Sequence, residues 1–197
     1  MENVEGTISK AKDVGAEFLA IGRSRNTDWE DMNSIKDLAK GLNRLGKICR
    51  ESGIRVLYHN HNTEFSRIGG KTGLEILFEE TDAELVGSEL DVYWVQLSGA
   101  NPVTWCQMLK GRLGIVHLKD IGVALNTPDS FIKRSVCRAI GDGNLEITAI
   151  IAAAQQSGCE IFAIETCTDW KDNDSLRCAR ESLAYLESRK GQERALL

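Results

Sequence analysis

Three histidines, His59, His61 and His117, are the only imidazoles in the 197-residue chain. His59 and His61 follow the apolar run Ile54-Arg-Val-Leu-Tyr58, and His117 follows Leu113-Gly-Ile-Val116. Asp91 closes Leu85-Val-Gly-Ser-Glu-Leu90, and Glu165 closes Glu160-Ile-Phe-Ala-Ile164. Four apolar runs therefore deliver an imidazole or a carboxylate at their C-terminal ends. Nitrogen and carboxylate oxygen donors brought together form the mixed set that holds a divalent cation. Each residue taken singly has a plainer explanation. A lone histidine at a strand end is more often a hydrogen-bonded rim residue, and an acid after a strand commonly caps the next helix. Capping suits Asp91 poorly, because Val92-Tyr-Trp-Val95 does not read as a helix start. Asp120 reads as a partner of Lys119 or as the cap of a turn. Only the conjunction of the groups points to a metal.

Such groups converge only if the elements behind them share one rim. Val4, Ile8, Ala11 and Val14 fall at helical spacing, with Gly15 as the stop, and Glu17–Ile21 reads as a strand. Ile35, Leu38, Leu42, Leu45 and Cys49 mark a helix face ended by Gly53, before the strand at 54–58. Thr72 and Glu75 have capping-box spacing ahead of Leu74, Leu77 and Phe78, and Pro102 opens a further helix after Asn101. Strands are expected at 85–90, 113–116, 135–140 and 160–164. Helices are expected through Ile147–Ala154 and Leu176–Leu186. Apolar strands with helices between them indicate a parallel α/β sheet, which puts its chemistry at the C-terminal strand ends. Neither GxGxxG nor a P-loop is present, which removes the commonest reasons to expect a nucleotide-binding doubly wound fold. Gly141-Asp-Gly143 has the composition of a phosphate cradle, although a tight loop is the commoner meaning. Trp94 and Trp105 read as core first and as pocket lining second.

Composition narrows the partners. Lys and Arg number 24 against 29 Asp and Glu, a net charge of −5, so a nucleic-acid backbone is disfavoured. No apolar run approaches the ~18 residues a membrane span needs, and the charged N-terminus lacks a signal-peptide core; a cytoplasmic protein without membrane or nucleic-acid contacts is expected. The six cysteines, at 49, 106, 137, 159, 167 and 178, form no CxxC pair and read as reduced core fillers.

Tyr58-His-Asn-His61 with Glu64-Phe65, Glu89-Leu-Asp91 with Tyr93-Trp-Val95, Gly111-Arg112, His117-Leu-Lys-Asp120, Gly141-Asp-Gly-Asn144 and Ile164-Glu165 occur in this order. Together they resemble the sugar phosphate isomerase/epimerase family, over most of the chain from about residue 10 to Leu186. The resemblance implies a xylose isomerase-like (β/α) TIM barrel, here one incomplete domain over residues 1–197 with about six strands. The first two β/α units of the eight in a full barrel are expected to be missing. Two open sheet edges would follow, which a homo-oligomer could cover.

The resemblance also implies a divalent metal, Mn, Mg or Co with Zn as a further option, held by Asp91, His117, Glu165 and a fourth ligand, either His59 or Glu64. His61, Lys119 and Trp94 take substrate-contacting positions. The implied reaction is isomerisation or epimerisation of a sugar, sugar phosphate or keto-polyol through an enediolate. Glu165 is the expected base, Glu64 a second catalytic carboxylate, and Lys119 helps hold the developing charge. An inosose-type dehydratase uses the same intermediate and is the alternative, and a non-catalytic barrel that binds a ligand or partner is a third reading. The more distant endonuclease IV enzymes fit badly, since three histidines and an acidic surface do not supply their multi-zinc site.

Overall fold

The computed structural model describes residues 3–125, 133–166, 170 and 173–189. The chain divides into two compact units, Met1–Leu90 and Asp91–Leu197.

The first unit begins with helix α1 (Val4–Asp13), whose N-terminus is capped by the Asn3 side chain on Gly6 N–H. Gly15, at φ 68°, takes the left-handed turn that releases the chain into strand β1 (Phe18–Ile21). Helix α2 (Met32–Arg50) buries Ile35, Ala39, Leu42, Leu45 and Cys49 along one face. Gly46 belongs to the same face because a Cβ there would stand 2.8 Å from the Leu85 carbonyl oxygen. Strand β2 (Arg55–His59) follows, then a 3-10 turn (Thr63–Phe65) and the two-residue strands β3 (Arg67–Ile68) and β4 (Lys71–Thr72), which pair antiparallel. Thr72 and Glu75 form the expected capping box at the start of α3 (Gly73–Glu80). Strand β5 (Val86–Asp91) brings the chain to the end of the unit at Leu90, its last residue opening the second.

The order β1-β2-β5 is parallel throughout, with Ala20 beside Leu57 and His59 beside Glu89. Val56, Leu57 and Tyr58 are fully buried, as the unbroken apolar run required.

The second unit starts at Asp91 with α4 (Val92–Leu97) and α5 (Pro102–Met108), the latter capped by Asn101 with proline in its first turn. Here the structure corrects the sequence reading. Asp91 does cap a helix, its Oδ1 accepting the Tyr93 N–H at 2.9 Å and the Trp94 N–H at 3.3 Å. The helix has only six residues, too few to show periodicity among bulky side chains. Strand β6 (Leu113–Leu118) is followed after one residue by β7 (Asp120–Val123), and β8 (Ser135–Arg138) pairs antiparallel to β7. Helix α6 (Ile147–Gln156), strand β9 (Ile161–Ile164) and helix α7 (Ser175–Arg189) complete the unit, with β9 parallel to β6.

Among the described residues, five strands therefore stand in parallel pairs, three in the first unit and two in the second. The strand expected at 135–140 exists but belongs to the β7–β8 pair. A parallel return needs a crossover, usually a helix, and the described residues between β7 and β8 contain none.

Cys49, Cys106, Cys137, Cys159 and Cys178 are buried free thiols, and Cys167 lies outside the described residues. Burial pushes the Cys106 thiol up to about 12, with Cys159 beside it adding to the effect. No described helix is long and apolar enough to cross a membrane.

Candidate metal centre

Strand β6 carries His117 to its C-terminal end, and the register of β6 and β9 sets His117 beside Ala163 and Leu118 beside Ile164. Glu165 is the next residue, and its N–H is bound to the Leu118 carbonyl. Two neighbouring parallel strands thus place an imidazole and a carboxylate side by side. His117 Nδ1 lies 2.6 Å from Glu165 Oε2. With Glu165 ionised and His117 neutral, this contact is an N–H donated to a carboxylate, and the acceptor lone pair is then on Nε2. Asp91, His117 and Glu165 each offer one ligand atom, and these atoms lie within 4.8 Å of one another.

Asp91 is completely buried, and its two oxygens have different duties. Oδ1 is held by the start of α4, while Oδ2 lies 3.6 Å from the ammonium of Lys119. Lys119 is itself 1% exposed, and its Nζ also lies 3.4 Å from Glu165 Oε1. The ammonium stands 4.9 Å from the ring centres of both Tyr93 and Trp94, within cation–π range. Burying a lysine beside two acids costs desolvation that only such pairing offsets. Three acceptor-rich side chains close enough to share one ion, two of them carboxylates, fit a divalent cation in donor chemistry as well as in spacing.

The other residues singled out in the sequence separate into two groups. In the first unit, His59 closes β2 with Nδ1 at 3.3 Å from Glu89 Oε2, and the His61 ring packs edge-on to it at 5.0 Å. Glu64 is 1% exposed and its carboxylate serves its own loop. Oε1 accepts the Tyr58 hydroxyl at 2.9 Å, and Oε2 accepts the His61 N–H at 3.0 Å and the Thr63 hydroxyl at 2.9 Å. Burial, with the Glu64 charge beside it, holds the Tyr58 phenol well above its ordinary range.

In the second unit, Trp105 is core and Trp94 is half-buried under Lys119. Asp120 caps a turn. Its oxygens accept the N–H groups of Ile121, Gly141, Gly143 and Leu145 at 2.8 to 3.2 Å. A Cβ on Gly143 would collide with that carboxylate. The glycine loop therefore cradles an anion supplied by the chain itself. An open cavity of about 330 Å³ beside β7 and β8, lined in part by Gln96, Ile121, Ser135 and Asn144, contains none of the candidate ligands.

Glu89 and Tyr93, not singled out from the sequence, stand beside His59 and Lys119 respectively. Glu89 shares a strand face with Asp91 at a spacing of two, a signal the sequence offered. Its place beside His59 depends on strand register, which the sequence does not state.

The chain belongs to the xylose isomerase-like TIM barrel family, whose model matches residues 1–189. The incomplete parallel α/β barrel expected from the sequence is thereby the fold class, with five parallel strands among the described residues where about six were expected.

Among curated relatives it is similar to an inosose dehydratase of Clostridium tetani, 42% identical over 88 residues that cover 44% of this chain and 28% of the relative. An inosose dehydratase 2 of Bacillus cereus is 30% identical over 177 residues, covering 83% of this chain and 55% of the relative. The chain thus spans about half or less of the length of these relatives. Among solved structures it is similar to a sugar phosphate isomerase/epimerase of Parabacteroides distasonis, at a TM-score of 0.74 and 25% identity, over 94% of this chain and 64% of that one.

Proposed function

We propose that this chain carries the site of a divalent-metal enzyme that removes a proton next to the carbonyl of a keto-polyol or keto sugar. The observation that carries the reading is the convergence of Asp91, His117 and Glu165 within 4.8 Å, with the Lys119 ammonium beside two of them. His59, at the end of β2, is proposed as the fourth ligand in preference to Glu64, whose oxygens already accept three hydrogen bonds, one from Tyr58 on β2 and two from their own loop. A bound divalent cation would polarise the substrate carbonyl and acidify the adjacent C–H.

Glu165 is the proposed base. Its Oε2 is oriented by His117 and its Oε1 by Lys119, so the carboxylate is fixed before substrate arrives. Its side chain is 32% exposed, the most open of the three ligand candidates, as a group that must meet substrate needs to be. Lys119 places a fixed positive charge where an enediolate would gather negative charge. His61 and Trp94 are proposed to contact the substrate.

Two fates of the enediolate give two activities. Returning the proton to carbon gives an isomerase or epimerase, and the similarity to the Parabacteroides structure favours this. Expelling a β-hydroxyl gives a dehydratase, and the curated relatives favour that for a keto-inositol.

One experiment separates them: incubation with a keto-inositol and with a panel of keto sugars in deuterium oxide, with Mn²⁺ or Co²⁺ added. An enone absorbance identifies the dehydratase, and deuterium entering recovered sugar without an enone identifies the isomerase or epimerase. Neither signal with any substrate on the panel refutes the proposal.

A further inference from the structure

Resting on the metal reading above, we infer that Lys119 is a built-in counter-cation: it neutralises the ligand carboxylates of the metal-free protein and thereby lowers the affinity of the site for a divalent ion.

The argument is one of charge. Asp91 is fully buried and Glu165 is partly so, and two carboxylates that share a small space repel one another. Lys119 Nζ stands 3.6 Å from one and 3.4 Å from the other, and it is itself 1% exposed. The π faces of Tyr93 and Trp94, each 4.9 Å from the ammonium, hold it in place from its other surroundings. A lysine that served substrate alone would gain nothing from being closed off among ligand carboxylates.

With His117 neutral, the two carboxylates and the ammonium sum to −1. Without the lysine the same cluster carries −2, the better match for an arriving 2+ ion. An unlike partner of this kind stabilises the empty site and opposes the filled one, because the ammonium then faces a divalent charge at close range. Losing that opposition is worth about tenfold or more in affinity, even at the high effective dielectric of a partly wet site. The consequence is a centre that keeps its shape without its ion and releases the ion readily.

The test measures Mn²⁺ binding by titration calorimetry and thermal unfolding with and without a chelator, for wild type, Lys119→Met and Lys119→Arg. The methionine keeps the stem length and removes the charge. The expected result is Mn²⁺ bound about tenfold or more tightly by Lys119→Met, with Lys119→Arg close to wild type. The chelated Lys119→Met protein is expected to melt lower than chelated wild type, and saturating Mn²⁺ should remove most of that difference. A Lys119→Met chain that folds only with Mn²⁺ present also supports the inference, since the ion then supplies the missing charge. Equal or weaker binding by Lys119→Met overturns it. So does a variant that fails to fold even with saturating Mn²⁺, because the lysine would then supply something a cation does not. Should wild type itself bind no Mn²⁺, Co²⁺ or Zn²⁺, the failure lies with the metal reading and not with the role of Lys119.

Discussion

Glu64 provides the sharpest test of how the polar residues divide between structure and chemistry. In Glu64→Ala three donors lose their acceptor: the Tyr58 hydroxyl, the His61 N–H and the Thr63 hydroxyl. They do not count equally. Thr63 is exposed and His61 is half-buried, so both rehydrate at little cost. The Tyr58 ring is fully buried, and its hydroxyl would be stranded at about 1–3 kcal/mol. The space left by a side chain that is 1% exposed adds a cavity cost, for a total near 3 kcal/mol. With a urea m-value of about 2 kcal/mol/M, the unfolding midpoint should fall by about 1.5 M. The assay is urea unfolding followed by fluorescence, with Mn²⁺ affinity measured on the same preparation. The affinity should change by less than about threefold, well inside one pKa-sized factor of ten. A midpoint that stays put while affinity falls by about 100-fold, the scale of a lost ligand or its direct support, would refute the reasoning and make Glu64 the fourth ligand.

His117→Ala removes the central donor of the cluster, and metal binding should disappear while the unfolding midpoint changes little; calorimetry and urea unfolding on one sample check both. Asp120→Ala strips four backbone N–H groups of their acceptor, so stability should drop by about 3 kcal/mol in a melt, with acetate or phosphate restoring part of it by entering the vacated cradle. Alkaline pH should destabilise the fold. The folded protein holds Tyr58 and Cys106 protonated, while the unfolded chain ionises them near their ordinary values of 10.0 and 9.0. The folded pKa is the raised one, so the stabilisation is complete below pH 9 and is lost as pH climbs through 9 to 12. A urea midpoint that stays level from pH 8 to 11 would contradict this.

The parallel α/β class was legible because Val56-Leu-Tyr58 and Leu113–Val116 are apolar without alternation, and helices with clear faces separate most of the strands. Thr72-x-x-Glu75 and Asn101-Pro102 announced their helices by capping chemistry alone. The strand-end positions of Asp91, His117 and Glu165 were legible for one reason: a parallel strand ends where its apolar run ends, so the next polar residue stands at its C-terminal end. What stayed hidden depends on contacts between distant segments. The β7–β8 pairing looked like one more parallel strand because a four-residue run carries no sign of direction. Glu64 stood level with His59 as a fourth-ligand alternative because the sequence does not show that Tyr58 and its own loop bond both its oxygens. Asp120 and the glycine loop are 21 to 25 residues apart, and nothing local says that one fills the other. The cap on Asp91 was missed because six residues of mostly apolar helix have no polar face to reveal a period.

The split use of the Asp91 carboxylate joins the start of α4 to the candidate centre. One oxygen holds the Tyr93 and Trp94 amides, and the other faces the cluster of charges. Any pull on the outer oxygen is transmitted through a single rigid carboxyl group to those two amide protons. Their exchange with solvent deuterium becomes a local gauge of ion loading, readable residue by residue without a substrate. Slower exchange at positions 93 and 94 on adding an ion, with the far end of α7 unchanged, would register occupancy directly from the backbone.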